Sequence, residues 1–191
     1  MNQSLKQESK EYIRLLLKTL ENTIAQAEAI LSYESAIEYI YHTMLSAQKN
    51  HKTIFFIGNG GSAGIAVHFA ADYQNAGRMK TQTFYDPALI TCMANDYGYE
   101  QVFAKPLELH GEEGDVLIAI SSSGNSPNII NGAAVAREKG MNIITMTGFK
   151  EENQLKQLGD LNVYVPICEY GIVESIHNLM LQQVIDLITK E

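Results

Sequence analysis

Apolar and polar positions along this chain fall into two regimes. Over residues 4–31, Leu5, Tyr12, Leu15, Leu16, Leu20, Ile24, Ala27 and Leu31 recur at about the helical period, and the spacing predicts one long amphipathic helix. A second helix is expected over 34–49, with Ser35 at its N-cap. Together they predict an N-terminal helical hairpin within residues 1–50. Its long apolar stripe is more than one domain buries, which points to use in oligomerisation. After Lys52 short apolar, β-branched runs alternate with helical patterns. Strands are expected at 53–58, 81–85, 115–121, 142–148 and 161–166, and helices at 62–77, 87–94, 99–109, 126–139 and 171–190. Strands that are apolar at nearly every position are covered on both faces, as in a parallel sheet. The fold class predicted is therefore α/β, a Rossmann-like doubly wound parallel sheet flanked by helices. No repeat, low-complexity tract or linker divides the chain. Residues 1–191 are expected to form a single domain with its α/β core at 51–191.

Open parallel sheets bind ligands beyond the carboxyl ends of their strands. Two strand-to-helix turns at such ends are unusual: "IGNGGSAG" (57–64) and "ISSSGNSPN" (120–128). In the first, Gly58, Gly60 and Ala63 approximate a dinucleotide fingerprint, which also wants an acid about 20 residues further on. Asp86 comes late for that role and is followed by Pro87. No Gly-Lys-Ser/Thr follows, so the turn is not a Walker A loop. From its glycines alone, a phosphate cradle, a dinucleotide turn and a ligand-free corner all stay open. The second turn groups Ser121, Ser122, Ser123 and Ser126 around Gly124 and Asn125, just ahead of a helix. Seryl hydroxyls donate to phosphate oxygens, and a helix N-terminus adds free N–H groups and the positive end of its dipole. Four hydroxyls without Lys or Arg suit one terminal phosphate, whereas a helix cap needs only one serine.

Composition narrows the function classes. The 191 residues are 46% hydrophobic and 19% charged, a globular balance. A net charge of −8 argues against a general nucleic-acid footprint but leaves room for a local anion site of backbone amides. Cys92 and Cys168 lack metal-ligand spacing and are expected to be buried thiols of a reducing compartment. The polar "MNQSLKQESKEY" carries no apolar signal core, and no apolar run approaches the roughly 18 residues of a membrane span. The expectation is a cytoplasmic protein without direct nucleic-acid or membrane partners.

The segments "GNGGSAG…HFAADY", "ANDYGYEQVFAKPLE" and "GDVLIAISSSGNSPNIINGAAVAREKGMNIITMTG", followed by a C-terminal helix with an inward acid or amide, resemble sugar isomerase (SIS) domains. Within these they are most similar to the phosphoheptose isomerases. The resemblance implies the SIS fold and the isomerisation of sedoheptulose 7-phosphate to D-glycero-D-manno-heptose 7-phosphate, for bacterial surface heptose in lipopolysaccharide or capsule. It also implies a homotetramer with sites at subunit interfaces and, in several members, a zinc ion. By position, Asn59, Gly60, Gly61 and Ser62 would meet the substrate, Asn95 and Asp96 would contact sugar hydroxyls, and Ser121, Ser122, Ser123 and Ser126 would hold the phosphate. His68, Asp72, Glu174 and Gln182 would be metal ligands, with Asp72, Glu174 and Gln182 also at the catalytic positions.

Three of those positions depart from the family pattern. Asp72 stands where Glu is usual, Glu174 where Gln is usual, and Gln182 where His is usual. His68 and Asp72 are four residues apart and share a helix face. Asp is one methylene shorter than Glu, which moves its oxygens by about 1 Å. Glu174 and Gln182 lie roughly 80° apart around a helix, so both can face one pocket. One nitrogen and three oxygen donors make a harder set than zinc usually takes. Gln polarises an oxygen but does not titrate, which leaves Glu174 or Asp72 as the base. His177 reaches the site only if its helix turns it inward. The departures also motivate two rival readings: a non-catalytic SIS protein that binds a phosphosugar or a replication initiator, and an isomerase of another phosphosugar.

Overall fold

The computed structural model describes residues 3–190; residues 1, 2 and 191, the ends of the expected 1–191 domain, lie outside the described residues. The elements run α1 (Gln3–Glu21), β1 (Ile24–Gln26), β2 (Ile30–Leu31), α2 (Tyr33–Lys49), β3 (Thr53–Gly58), α3 (Gly61–Asn75), β4 (Lys80–Gln82), α4 (Pro87–Tyr97), α5 (Ala104–His110), β5 (Val116–Ser121), α6 (Pro127–Glu138), β6 (Asn142–Gly148), β7 (Leu161–Val165) and α7 (Tyr170–Ile188). Single 3-10 turns stand at Tyr99–Gln101 and Leu155–Leu158.

Strands β3 to β7 form the predicted parallel sheet in the order β7-β6-β5-β3-β4. Period-two alternation sends their side chains into two layers. Ile54, Phe56, Val116, Ile118 and Ile120 pack with residues of α2, α3 and α7. Phe55, Ile57, Leu117 and Ala119 pack with Leu107 of α5 and with Ile129, Ala133 and Ala136 of α6. From β3 the chain moves outward to β4, then returns to pair β5 on the other side of β3. The topological switch point therefore lies between β3 and β5.

The expected helix over 4–31 ends at Glu21. The Asn22 N–H closes on the Lys18 and Thr19 carbonyls, and its side-chain amide also donates to Lys18 O (2.6 Å). The chain then extends as β1, antiparallel to β7 in the register Ile24↔Tyr164, Ala25↔Val163 and Gln26↔Asn162, and β2 pairs with β1. The two short strands cover an edge of β7 that would otherwise present unpaired amides, and pairing outweighs helix period there. In place of a simple hairpin, a β-ribbon separates the two helices, and both α1 and α2 pack against α7. Ser32, not Ser35, caps α2, accepting from Ser35 N at 3.2 Å. Both cysteines are exposed, against expectation. Cys92 lies on α4, a helix with no buried residue, and Cys168 lies in the β7–α7 connection. Among the described residues, no helix is long and apolar enough to cross a membrane.

His177 turns inward but into the core, not toward solvent or a pocket. It is fully buried among Val173, Ile176 and Leu181 of α7, and its Nε2 donates to Thr147 O at 3.1 Å. That bond assigns the proton to Nε2 and leaves Nδ1 buried without a partner. Desolvation holds its pKa down at about 4. The unfolded chain takes up this proton near pH 6.5, whereas the folded chain resists it until about pH 4. The stabilisation is thus whole above pH 6.5 and is lost as pH falls from there toward 4, by about 3 kcal/mol in all. Urea unfolding measured from pH 7 to 4.5 is expected to show that loss. His177→Gln keeps a donor toward Thr147 and does not titrate, and its pH slope over the same range is expected to be shallower by about one proton.

Candidate functional site

At the switch point a cavity of about 360 Å³ opens between the two turns singled out in the sequence. The β3–α3 turn contributes Asn59, Gly60, Gly61 and Ser62. The β5–α6 turn contributes Ser121, Ser122, Ser123 and Ser126, and α7 contributes Tyr170 and Glu174. Parallel pairing of Gly58 with Ile120 brings the two strand ends level. The amides of the α3 and α6 N-termini then converge on one space.

Each turn has a local cause. Gly60 sits at φ +55°, ψ −120°, a conformation side chains disfavour. A Cβ on Gly61 would strike the Glu174 carboxylate, so glycine there lets α7 bring an acid against the turn. Tyr85 clamps the end of β3: its hydroxyl accepts from Gly58 N (2.7 Å) and donates to Gly58 O (2.8 Å). Burial pushes its pKa well above the usual phenol value, which keeps that proton in place. In the second turn Gly124 has φ +63°, and a Cβ there would collide with Asn153. Leu155 N donates to Gly124 O (2.9 Å) and Gln154 N to Asn125 Oδ1 (3.2 Å), so residues 153–155 grip the turn from behind.

The serines are not used up by the fold. Ser126 stands at the N-cap of α6 but its side chain makes no capping bond; instead Ser121 Oγ donates to Ser126 Oγ at 3.3 Å. Ser122 Oγ is buried with no hydrogen-bond partner. A buried hydroxyl left unpaired is unfavourable unless a ligand satisfies it. The cavity lining holds no Lys or Arg. The N-termini of α3 and α6 bring free N–H groups and positive dipole ends to its wall, an arrangement that suits a phosphate dianion.

A pair of amides locks the two walls together. Asn59 Nδ2 donates to Asn128 Oδ1 and Asn128 Nδ2 donates to Asn59 Oδ1, both at 2.9 Å. Tyr99 adds a hydroxyl donor to Asn59 Oδ1 at 3.3 Å. Asn128, Tyr85 and Tyr170 were not foreseen. Asn128 stands where a helix N-terminus would explain it, Tyr85 ends the strand expected at 81–85 and reads as framework, and Tyr170 precedes the helix expected at 171.

The remaining expected residues are distributed more widely. Glu174, the one acid among the described residues lining the cavity, also borders a neighbouring groove of about 490 Å³, which Gln182 lines with Leu16, Ile65 and Leu179. Gln182 Nε2 donates to Asp186 Oδ1 at 2.8 Å. His68 Nε2 and Asp72 Oδ2 stand 3.5 Å apart on α3, with side chains 51% and 37% exposed, and line neither space. Asn95 and Asp96 lie exposed in the last turn of α4, where Asn95 Nδ2 donates to Asp96 Oδ1 at 2.9 Å. They do not line the cavity. Asp86 caps α4 through Ala88 N and Leu89 N, which removes the acid a dinucleotide site would need.

These positions also test the implied zinc. A catalytic zinc takes three protein ligands. Among the described residues no group of three or more His, Cys, Asp or Glu side chains could hold a metal. His68 and Asp72 form a pair, while Glu174 and Gln182 border a different space. The donors of one chain therefore do not fit a zinc ion.

A doubly wound sheet with hydroxyl-rich and glycine-rich turns at its switch point is the layout of a sugar-phosphate-binding SIS domain. The SIS domain family model matches residues 11–148. The phosphoheptose isomerase of Sodalis glossinidius is 38% identical over 181 residues, which cover 92% of this chain and 91% of that protein. Among solved structures, phosphoheptose isomerase GmhA from Neisseria gonorrhoeae superposes with a TM-score of 0.84 at 28% identity, covering 98% of this chain and all of that one. A phosphoheptose isomerase from Francisella tularensis gives 0.85 at 27%, covering both chains in full. The chain belongs to the phosphoheptose isomerases of the SIS domain family.

The amide pair carries a measurable consequence. Asn59→Ala and Asn128→Ala are each expected to lower stability by about 1–2 kcal/mol in urea unfolding. The double variant is expected to fall short of their sum by about 1 kcal/mol, because the first substitution already breaks the pair.

Proposed function

We propose that the protein is a phosphosugar aldose–ketose isomerase that converts sedoheptulose 7-phosphate to D-glycero-D-manno-heptose 7-phosphate. The observation that carries this reading is a single carboxylate, Glu174, in a cavity otherwise walled by hydroxyls and backbone amides suited to a phosphate. The relatives that share a third or more of its sequence are phosphoheptose isomerases, which does not favour a purely regulatory or partner-binding role.

In this reading the phosphate sits on Ser121, Ser122, Ser123, Ser126 and the N-termini of α3 and α6, with Asn59, Gly60, Gly61 and Ser62 against the chain that leads from it. Glu174 takes the proton from carbon 1 of the ketose, electrons shift to oxygen 2, and a cis-enediol forms. The same acid returns the proton to carbon 2, while oxygen 1 loses a proton to solvent and oxygen 2 gains one. Gln182 is an amide and carries no proton in this exchange. Asp72 is not among the residues lining the cavity and is not used as the base.

The whole chain, 1–191, acts as one domain in this proposal, with the N-terminal helices in a homo-oligomer, a tetramer by the family resemblance. Exposed Leu5, Tyr12, Ile13 and Leu17 on α1 support that use. A cytoplasmic setting and a role in surface heptose synthesis complete the reading.

Incubating the protein with sedoheptulose 7-phosphate is expected to yield an aldoheptose phosphate by NMR, and folded protein that yields none overturns the proposal. Glu174→Gln is expected to lower kcat by about a hundredfold or more with binding of inorganic phosphate retained. Ser122→Ala is expected to weaken phosphate binding by about tenfold.

The implied zinc is kept outside this mechanism. Its donors would be His68, Asp72, Glu174 and Gln182, one nitrogen and three oxygens, a set that holds zinc less tightly than histidine-rich sites. Metal analysis after dialysis against EDTA is expected to show well under one zinc per chain. Stoichiometric retention would overturn that expectation.

A further inference from the structure

Tyr170 lines the cavity, but neither the phosphate site nor the proton transfer uses it. The buried positions of α7 include Val173, His177 and Leu181, a stripe at helical spacing whose next step toward the N-terminus is residue 170. Tyr170 therefore lies on the core-facing stripe. Yet it is 62% exposed, because it stands at the first residue of α7, at the end of the sheet where the cavity opens. A large ring on an inward stripe, uncovered by its own chain, faces whatever fills the cavity.

Its other side is braced. The Phe149 ring meets Tyr170 edge to face, with centroids 4.7 Å apart and planes at 81°. Phe149 follows β6 and holds φ +60°, a conformation an aromatic residue rarely adopts. Two hydrogen bonds keep it there: Phe149 N donates to Ile167 O (3.1 Å), and Tyr164 Oη donates to Phe149 O (3.0 Å). Strained backbone persists where its surroundings over-determine it, and it gathers at sites that need a fixed geometry. Here the strain fixes a ring that packs against the core on one side and meets Tyr170 edge to face.

We propose that Tyr170, braced by Phe149, is a substrate-contacting specificity residue that stacks on the carbon chain of a phosphorylated open-chain sugar. This rests on the phosphosugar reading of the cavity. Glu174 is one helical turn further along the same helix. A chain whose phosphate sits on the serine turn thus meets the Tyr170 ring beside the carboxylate. The negative face of an aromatic ring attracts the polarised C–H bonds of a polyol, so the contact reads the sugar and not the phosphate. Ring and carboxylate on one helix would hold the carbon to be deprotonated in a fixed position relative to the base.

The test compares two probes by calorimetry: glucitol 6-phosphate, an open-chain polyol phosphate that cannot isomerise, and inorganic phosphate. Tyr170→Ala is expected to weaken glucitol 6-phosphate about tenfold and to leave inorganic phosphate within twofold. Tyr170→Phe is expected to stay within twofold of the native chain for both, since the ring does the work. Phe149→Ala is expected to show a smaller loss confined to the polyol phosphate. If Tyr170→Ala leaves both probes within twofold, or weakens both equally at unchanged melting temperature, the inference is overturned. A native chain that binds inorganic phosphate but glucitol 6-phosphate no better also overturns it, with the phosphate site left standing. A native chain that binds neither overturns the phosphosugar reading itself, and this inference with it.

Discussion

Two side-chain amides hold the functional end of this molecule together. The sheet's own hydrogen bonds align β3 with β5 only as far as Gly58 and Ile120. Past that point the two turns leave the sheet, and backbone pairing no longer sets the space between them. The reciprocal bonds of Asn59 and Asn128 take over that task. Each amide spends one donor and one acceptor on the other, so the pair is mutually satisfied at a partly buried place where an unpaired amide would be unfavourable. The width of the cavity, and hence whether two helix N-termini act on one anion, depends on it.

That dependence explains how a chain of net charge −8 could form the proposed anion site with no basic side chain among the described residues of its lining. Backbone amides are weak individually, and their use requires that they arrive already aimed. Three clamps supply the aim: Tyr85 on Gly58, the amide pair between the turns, and residues 153–155 behind Gly124. Ser122 Oγ has no partner within the fold, which costs stability at that hydroxyl. In the proposed phosphate site, stability given up at that hydroxyl is regained as binding when a phosphate oxygen meets it.

The frame was legible because its signals are local. Apolar runs such as "TIFFIG" and "DVLIAIS" read as buried strands, and "NIITMTG" was placed to the residue. The serine and glycine turns were legible for the same reason, since both declare their chemistry within a few residues. What failed was set by distant partners. Ile24 and Ala27 fit a helical period as well as a strand, and only the open edge of β7 decides the matter for Ile24. His177 fits a surface or a core position until α7 is laid on Thr147. In the sequence Asn128 and Tyr85 look like ordinary helix-start and strand-end residues, and their roles show only in the hydrogen bonds they make to Asn59 and Gly58. His68 and Asp72 share a face, as their spacing requires, but a shared face does not place them in the cavity.

The helix α7 shows why the site resists reading by pattern alone. The SIS domain match ends at residue 148, before this helix begins, yet among the described residues the helix supplies the cavity's one acid. One helical period assigns its residues to three surroundings. His177 goes to the core, where neutrality is enforced by desolvation. Glu174 goes to the boundary between two cavities, where an acid can stay solvated and still touch a ligand. Tyr170 goes to the mouth, where the stripe outruns the sheet. A substitution along α7 therefore changes chemistry according to its angle and its depth together. Glu174 shares the angle of Tyr170, His177 and Leu181, yet it and Gln182 are only partly buried and line the neighbouring groove, outside the fully buried core. A change at either position therefore alters the groups beside the proposed phosphate site and leaves the fully buried packing of α7 in place.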